Sequence, residues 1–210
     1  MKWSDNEAKI LHSENHFLIA FKPSGWLTQP DGSETPSLEE YAKEWVKKEY
    51  QKPGNVYLHA IHRLDRAASG LVLFARTSKA LSRLNEASRK QEIQRFYCVE
   101  VEGALKQEEG RLEHLLVHGD HKAFIDPSGK KAILFYQVQE RKELSTLLRV
   151  QLETGRYHQI RAQFAAIGHP VVGDTKYGAK KVLEGGIHLQ CVELRFQHPI
   201  SKELQIYHSN

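Results

Sequence analysis

The sequence predicts an α+β protein whose core is a mixed, largely antiparallel β-sheet flanked by helices. Three observations carry this. Short apolar runs recur along the chain without the strict strand–helix alternation that a parallel sheet requires. Two of them, residues 132–139 and 144–152, are separated only by the polar stretch 140–143, the spacing of an antiparallel pair. Helical spacing of apolar residues appears after Ser37, after Ser78 and after Thr154 or Gly155.

Taken in order, residues 10–12 and 17–21 are short strands, and Lys22-Pro23-Ser24-Gly25 turns the chain after the second. Residues 26–36 form a polar loop rich in Pro and Gly. Ser37 has the hydroxyl to cap a helix running to about residue 49, with Leu38, Tyr41, Trp45 and Val46 on one side, and Pro53-Gly54 stops it. Residues 71–76 are a continuous apolar strand, as burial on both faces demands. Ser78 caps a helix over 79–90, with Leu81 and Leu84 inward and Lys79, Arg83 and Arg89 outward. Residues 96–101 form a strand with Tyr97, Val99 and Val101 on one face. The stretch 115–124 carries no decisive period, and Asp126-Pro127-Ser128-Gly129 is a turn. The third helix runs to residue 167, with Ile160, Phe164 and Ile167 on one face, Gly168 as its C-cap and Pro170 barring continuation. Residues 187–196 and 203–208 close the chain as strands around His198-Pro199. No linker is long enough to separate domains, so residues 1–210 read as one.

Composition narrows the class. Hydrophobic residues make up 40%, enough for a core, and the net charge of +4 permits a polyanionic partner without demanding one. Cys98 and Cys191 sit in apolar alternating stretches and read as buried free thiols. The first residues lack an apolar leader core, and no run reaches membrane-spanning length. A reducing cytoplasm, or an organelle matrix of similar character, is therefore the expected setting, with no membrane partner and a monomeric chain.

Chemistry concentrates in a few runs. In His62-Arg63-Leu64-Asp65-Arg66-Ala67-Ala68-Ser69-Gly70-Leu71, one carboxylate lies next to two arginines, ahead of a small-residue turn and an apolar strand. Nearby cations favour an ionised Asp65, which can attack an electrophilic carbon or accept a proton; a lone Asp in a turn is more often simply ion-paired. Gly155-Arg156-Tyr157-His158-Gln159-Ile160-Arg161 opens a helix with polar side chains able to bind phosphate or pair with a carboxylate, although a solvated helix start has the same composition. Arg95-Phe96-Tyr97 begins a strand in which a tyrosine is ordinarily core. Alternation accounts for most of Ile187-His188-Leu189-Gln190 as sheet. His114, His118 and His121 have metal-like spacing, but strand periodicity separates them and no carboxylate or cysteine joins them, so no metal is expected. Residues 76–95, with six basic and two acidic side chains, read as a solvated face that suits a nucleic-acid backbone.

The His62-Arg63-Leu64-Asp65 and Gly155-Arg156-Tyr157-His158-Gln159-Ile160-Arg161 runs, with Phe21-Lys22-Pro23-Ser24-Gly25 and Phe196-Gln197-His198-Pro199, resemble the signatures of the RluA-type RNA pseudouridine synthases. The resemblance spans about residues 10–208. It implies the pseudouridine synthase fold with a central active-site cleft and an isomerase acting on transfer or ribosomal RNA. It makes Asp65 the catalytic carboxylate, Arg161 its ion-pair partner and Tyr97 the ring that stacks on the target base. Arg63 would fill the space an extruded uridine leaves. Lys22, His62, Leu71, Arg156, His158, Gln159 and His188 are carried over as substrate or RNA contacts. The reaction needs no redox change or energy input, so no cofactor is expected. Asp65 either attacks C1′ or removes the C2′ proton, and the sequence leaves both open. Ala68 and Tyr157 stand where the family most often has Thr. Only about nine residues precede the first strand, so the N-terminal S4 domain of many relatives is expected to be absent. A non-catalytic RNA-binding module on the same fold, and a nucleoside hydrolase using Asp65, are the alternatives.

Overall fold

A computed structural model of the chain describes residues 7–209; the first residues, on which the expectation of no leader rests, lie outside the described residues. In chain order the described residues form β1 (Lys9–Ser13), β2 (Phe17–Lys22), α1 (Leu38–Glu49), β3 (His59–Ala60), β4 (Ser69–Ala75), α2 (Ser78–Arg89), β5 (Gln94–Glu102), β6 (Glu109–His118), β7 (Ala123–Ile125), β8 (Lys130–Arg141), β9 (Ser145–Leu152), α3 (Gln159–Ala166), a 3-10 turn (Thr175–Tyr177), β10 (Leu189–Gln197) and β11 (Leu204–His208). The α+β class and its antiparallel bias are as the sequence predicts. The chain forms two compact units: one takes the chain through Ile93 and again from Cys191, the other is Gln94–Gln190.

In the first unit the strand order is β1-β2-β4-β10, with β11 on β10 and β3 on β4. Every residue of β2 and β4 is buried, which is why both are written as unbroken apolar runs rather than alternating ones. They pair antiparallel from Phe17↔Ala75 to Lys22↔Gly70. Enclosing each Phe or Leu of this pair contributes about 1.5–3 kcal/mol, so the pair is a stiff base for the loops that leave it. Gly70 has φ +119, and a Cβ there would stand 2.3 Å from the Cys191 carbonyl oxygen on β10; only glycine lets the two backbones meet.

Helix α1 begins as expected, with Ser37 Oγ accepting the Glu40 N–H at 3.3 Å. Its buried stripe, however, is Leu38, Ala42 and Val46, at i, i+4 and i+8, together with Glu39. Tyr41 and Trp45 flank that stripe half-buried, Tyr41 edge-on to Trp26. Helix α2 is capped by Thr77, one residue earlier than expected, whose Oγ1 accepts the Ala80 N–H at 3.1 Å.

In the second unit β5-β9-β8-β6-β7 form an antiparallel succession. The stretch without a decisive period is β6 and β7. Leu116 is the one fully buried residue of β6, so its polar side chains mask the strand period. Helix α3 packs on β6 and β7 through a cluster of Leu116, Ala123, Ala132 and Ala162, with Tyr157 and Tyr177 against it. It ends at Ala166 with Ile167 as its C-cap, one residue before the predicted Gly168, which follows with a left-handed φ of +83. Cys98 and Cys191 are buried and form no disulfide among the described residues. Among the described residues no helix is long and apolar enough to cross a membrane.

Candidate active site

Asp65 lies half-buried on the loop between β3 and β4, in the first unit. Such a loop has no ladder to hold it, so its backbone must be fixed otherwise. Each residue from 64 to 67 is fixed. Thr28 Oγ1 accepts the Leu64 N–H at 3.0 Å and donates to the Leu64 carbonyl at 3.2 Å. The Asp65 carbonyl accepts Ala68 N–H at 3.0 Å, and the Arg66 carbonyl accepts Gly25 N–H at 2.8 Å. Ser24 Oγ donates to the Ala67 carbonyl at 2.7 Å. Residues 22–28, which the sequence predicts as a turn after β2 and the start of a polar loop, thus form the bracket that positions Asp65.

Lys22 belongs to that bracket, and this corrects its assignment as an RNA contact. It is 0% exposed, and its ammonium donates to the carbonyls of Pro23 at 2.9 Å, Trp26 at 2.8 Å and Arg66 at 3.4 Å. Burial pushes its pKa down to about 7, with the Asp65 charge opposing the fall. A lysine at a strand end beside Pro reads as solvated; its enclosure depends on the 61–68 loop folding over it. Leu71 is likewise 0% exposed, inside β4, and offers no surface to a ligand. His62 is buried and its Nε2 accepts the Leu73 N–H at 3.3 Å, so its proton resides on Nδ1. Arg63 and Arg66 are exposed, where sequence reading put them beside the acid.

In the second unit the expected helix start is displaced. Residues 155–158 are not helical, and α3 begins at Gln159 after His158 in a left-handed conformation, φ 50 and ψ 25. Gln159, expected to face substrate, is 3% exposed; its Oε1 accepts from Thr154 Oγ1 at 2.8 Å and Arg156 N–H at 2.9 Å, and its Nε2 donates to the Ile133 carbonyl at 3.0 Å. It ties the loop to β8. Arg156 is exposed and anchored by Nε on the Lys131 carbonyl at 2.9 Å. Tyr97 is 5% exposed on β5, opposite Val150 of β9. His188 is half-buried with Nδ1 2.8 Å from Glu100 Oε2, a carboxylate that also accepts from Ser145 Oγ at 2.6 Å.

Arg161 is buried, and its guanidinium grips Asp174 as a fork: Nε to Oδ2 at 2.7 Å and Nη2 to Oδ1 at 2.8 Å. Its Nη1 donates to His158 Nε2 at 2.8 Å, and its Cζ lies 5.0 Å from the Tyr177 ring centre. His158 is buried by Tyr157, stacked on it at 3.9 Å, so it presents no side chain to RNA as expected of it. Burial, then the Arg161 charge, pushes its pKa down to about 3 and keeps it neutral. Sequence reading assigned no role to Asp174, Tyr177, Thr28 or Ser24. For Asp174 a signal exists: a buried Arg requires an acid, and Gly173-Asp174 follows shortly after the 155–161 run.

The arrangement therefore offers one half-buried, rigidly carried carboxylate in the first unit, and one buried, oriented guanidinium in the second. A family model described as RNA pseudouridylate synthase matches residues 16–166. The dual-specificity RNA pseudouridine synthase RluA of Pasteurella multocida (strain Pm70) is 33% identical over 208 residues, covering 95% of this chain and 91% of that protein. The uncharacterized RNA pseudouridine synthase YhcT of Bacillus subtilis (strain 168) is 32% identical over 206 residues, covering 94% of this chain and 67% of the relative. Among solved structures, human RNA pseudouridylate synthase domain containing 4 superposes with TM-score 0.80 at 19% identity, over 96% of this chain and 87% of that one. Human RNA pseudouridylate synthase domain containing 1 gives 0.76 at 20% identity, over 98% and 84%. At such identities the solved structures speak for the fold.

Proposed function

The chain belongs to the RluA-type RNA pseudouridine synthase family, and from that premise we propose that it isomerises specific uridines of transfer or ribosomal RNA to pseudouridine, with Asp65 as the catalytic carboxylate. The observation that carries the proposal is the four-residue bracket on the 64–67 backbone, which gives a loop carboxylate the fixed position that catalysis demands.

The reaction breaks the N1–C1′ glycosidic bond, turns the uracil and rejoins it through C5. Atoms and electrons balance within the uridine, so no cofactor enters. Positive charge grows on C1′ as the bond breaks, and an ionised carboxylate meets it by attack at C1′ or by taking the C2′ proton. The target uridine leaves its stack to reach Asp65. Arg161 is the cation that favours ionised Asp65, and Tyr97 stacks on the base. The exposed Arg63 enters the vacated space, with Arg156 and His188 as further RNA contacts. The enzyme works in the cytoplasm, as a monomer.

The test is tritium release from RNA labelled at uridine C5, with RNA retention on filters measured in parallel. Asp65→Asn keeps the side-chain shape and removes the charge; isomerisation should vanish while RNA binding persists. Full activity in that variant would overturn the assignment. Mapping pseudouridine in total RNA with and without the gene identifies the target position.

A further inference from the structure

The geometry points to Asp174, His158 and Tyr177 as positioning residues that fix the orientation of Arg161 for the reaction, an inference that rests on the role proposed for Arg161 above. Bond directions follow from the chemistry of the groups. A guanidinium only donates, so the 2.8 Å contact between Arg161 Nη1 and His158 Nε2 makes Nε2 the acceptor and leaves the imidazole proton on Nδ1. That Nδ1–H donates to Tyr177 Oη at 3.0 Å. Tyr177 Oη also accepts the Ala123 N–H at 2.7 Å and donates to the Ala123 carbonyl at 3.1 Å. The hydroxyl thus accepts twice and donates once, its full complement. From the β7 backbone to Arg161, every proton has one allowed place.

Asp174 closes the other side. It is 1% exposed, and its two oxygens take Nε and Nη2 of Arg161, fixing the plane of the guanidinium. The arrangement is built at a local cost. His158 adopts a left-handed backbone, unfavourable by about 1–2 kcal/mol for a non-glycine residue, and makes no side-chain cap bond. What the conformation achieves is to put the imidazole against Arg161. Tyr157, one of this chain's two departures from the family pattern, covers the imidazole on one face and carries His118 on its own other side at 4.0 Å.

Two variants test this, alongside Asp65→Asn. His158→Phe keeps the ring stack and removes the acceptor; Tyr177→Phe keeps the ring and removes one hydroxyl, a change the fold should tolerate. Each is expected to lower kcat about tenfold with KM nearly unchanged, because an oriented charge is lost rather than RNA contact. The acidic limb of the kcat profile should move to higher pH, since a loosened Arg161 favours ionised Asp65 less. His158→Gln, which restores an acceptor near Nε2, should recover part of the loss. The charged groups around His158 are Arg161, Lys176, Asp174 and His118, and those around Asp65 include Lys22 and its neighbours Arg63 and Arg66; neither variant removes any of them. If both variants lower Tm while kcat and the pH profile match wild type, the network is packing and the inference fails. Full activity in Asp65→Asn would instead sink the proposed function, a separate arm of the same experiment.

Discussion

Replacing Lys22 by Met removes a fully enclosed cation while keeping an unbranched side chain of similar length. The ammonium is 0% exposed and its pKa is pushed from 10.5 down to about 7 by burial. Below pH 7 both folded and unfolded chains carry the proton, and the native state bears the full cost of the enclosed charge. Between pH 7 and 10.5 the unfolded chain holds a proton that the native state has released. Stability in that window therefore rises with pH, by up to about 1.4 kcal/mol per pH unit for a single proton. Between pH 7.5 and 9 the gain from Lys22 should approach 2 kcal/mol, to order of magnitude. Urea unfolding of wild type and Lys22→Met across that range reads the difference: the wild-type curve should carry this rise, and the variant should lack it. Met also leaves the carbonyls of Pro23 and Trp26 without the ammonium donor, at about 1–3 kcal/mol for each left unsatisfied, while the Arg66 carbonyl keeps its bond from the Gly25 N–H, so the variant should be less stable at every pH and the Asp65 loop less fixed. Identical pH slopes in the two proteins would refute the reasoning, because they would mean that the three carbonyls hold the ammonium against its burial.

Gly70→Ala drives a Cβ to 2.3 Å from backbone at Cys191, where nothing flexible can yield, and should lower Tm by roughly 10 °C or abolish soluble expression, read by calorimetry and yield. Arg161→Met leaves Asp174 enclosed without its partner, a loss of about 3–5 kcal/mol, and activity should collapse, more steeply at mildly acidic pH, in the tritium assay. Burial pushes the Cys98 thiol up to about 11, so a thiolate-specific reagent at pH 8 should modify it only after unfolding; rapid native labelling of Cys98 would contradict its enclosure.

What was legible in the sequence was what local pattern decides. Two strands buried through every residue, β2 and β4, read as unbroken apolar runs, and the β8–β9 pair read as two runs across a short polar join. Ser37 announced its helix because capping is a local hydrogen bond. Strand β6 did not register, since most of its side chains meet water and its polar residues hide the alternation. Helix α3 starts three or four residues later than its apolar spacing predicts, because that spacing cannot report a left-handed residue at 158. Lys22, Leu71 and Gln159 belong to legible motifs, but their burial is not legible there, since enclosure is a property of what folds over a residue.

The same distinction explains why Asp65 was legible and its support was not. A carboxylate between two arginines before a strand is a local signal. A loop that must hold its charge in one place has to borrow rigidity from elsewhere in the chain. Here the loan comes from Ser24, Gly25 and Thr28, some forty residues upstream, through bonds to backbone that any residue type but proline at 64–67 would offer. The second unit solves the same problem with side chains: a fork to Asp174 and an imidazole whose proton has one allowed position. Backbone bracketing tolerates substitution at the bracketed residues, whereas a side-chain network does not. Substitutions at 64, 66 and 67 should therefore perturb the Asp65 loop less than changes at Thr28 or Ser24, and at Arg161 the sensitivity should lie in the network itself, at Asp174, His158 and Tyr177.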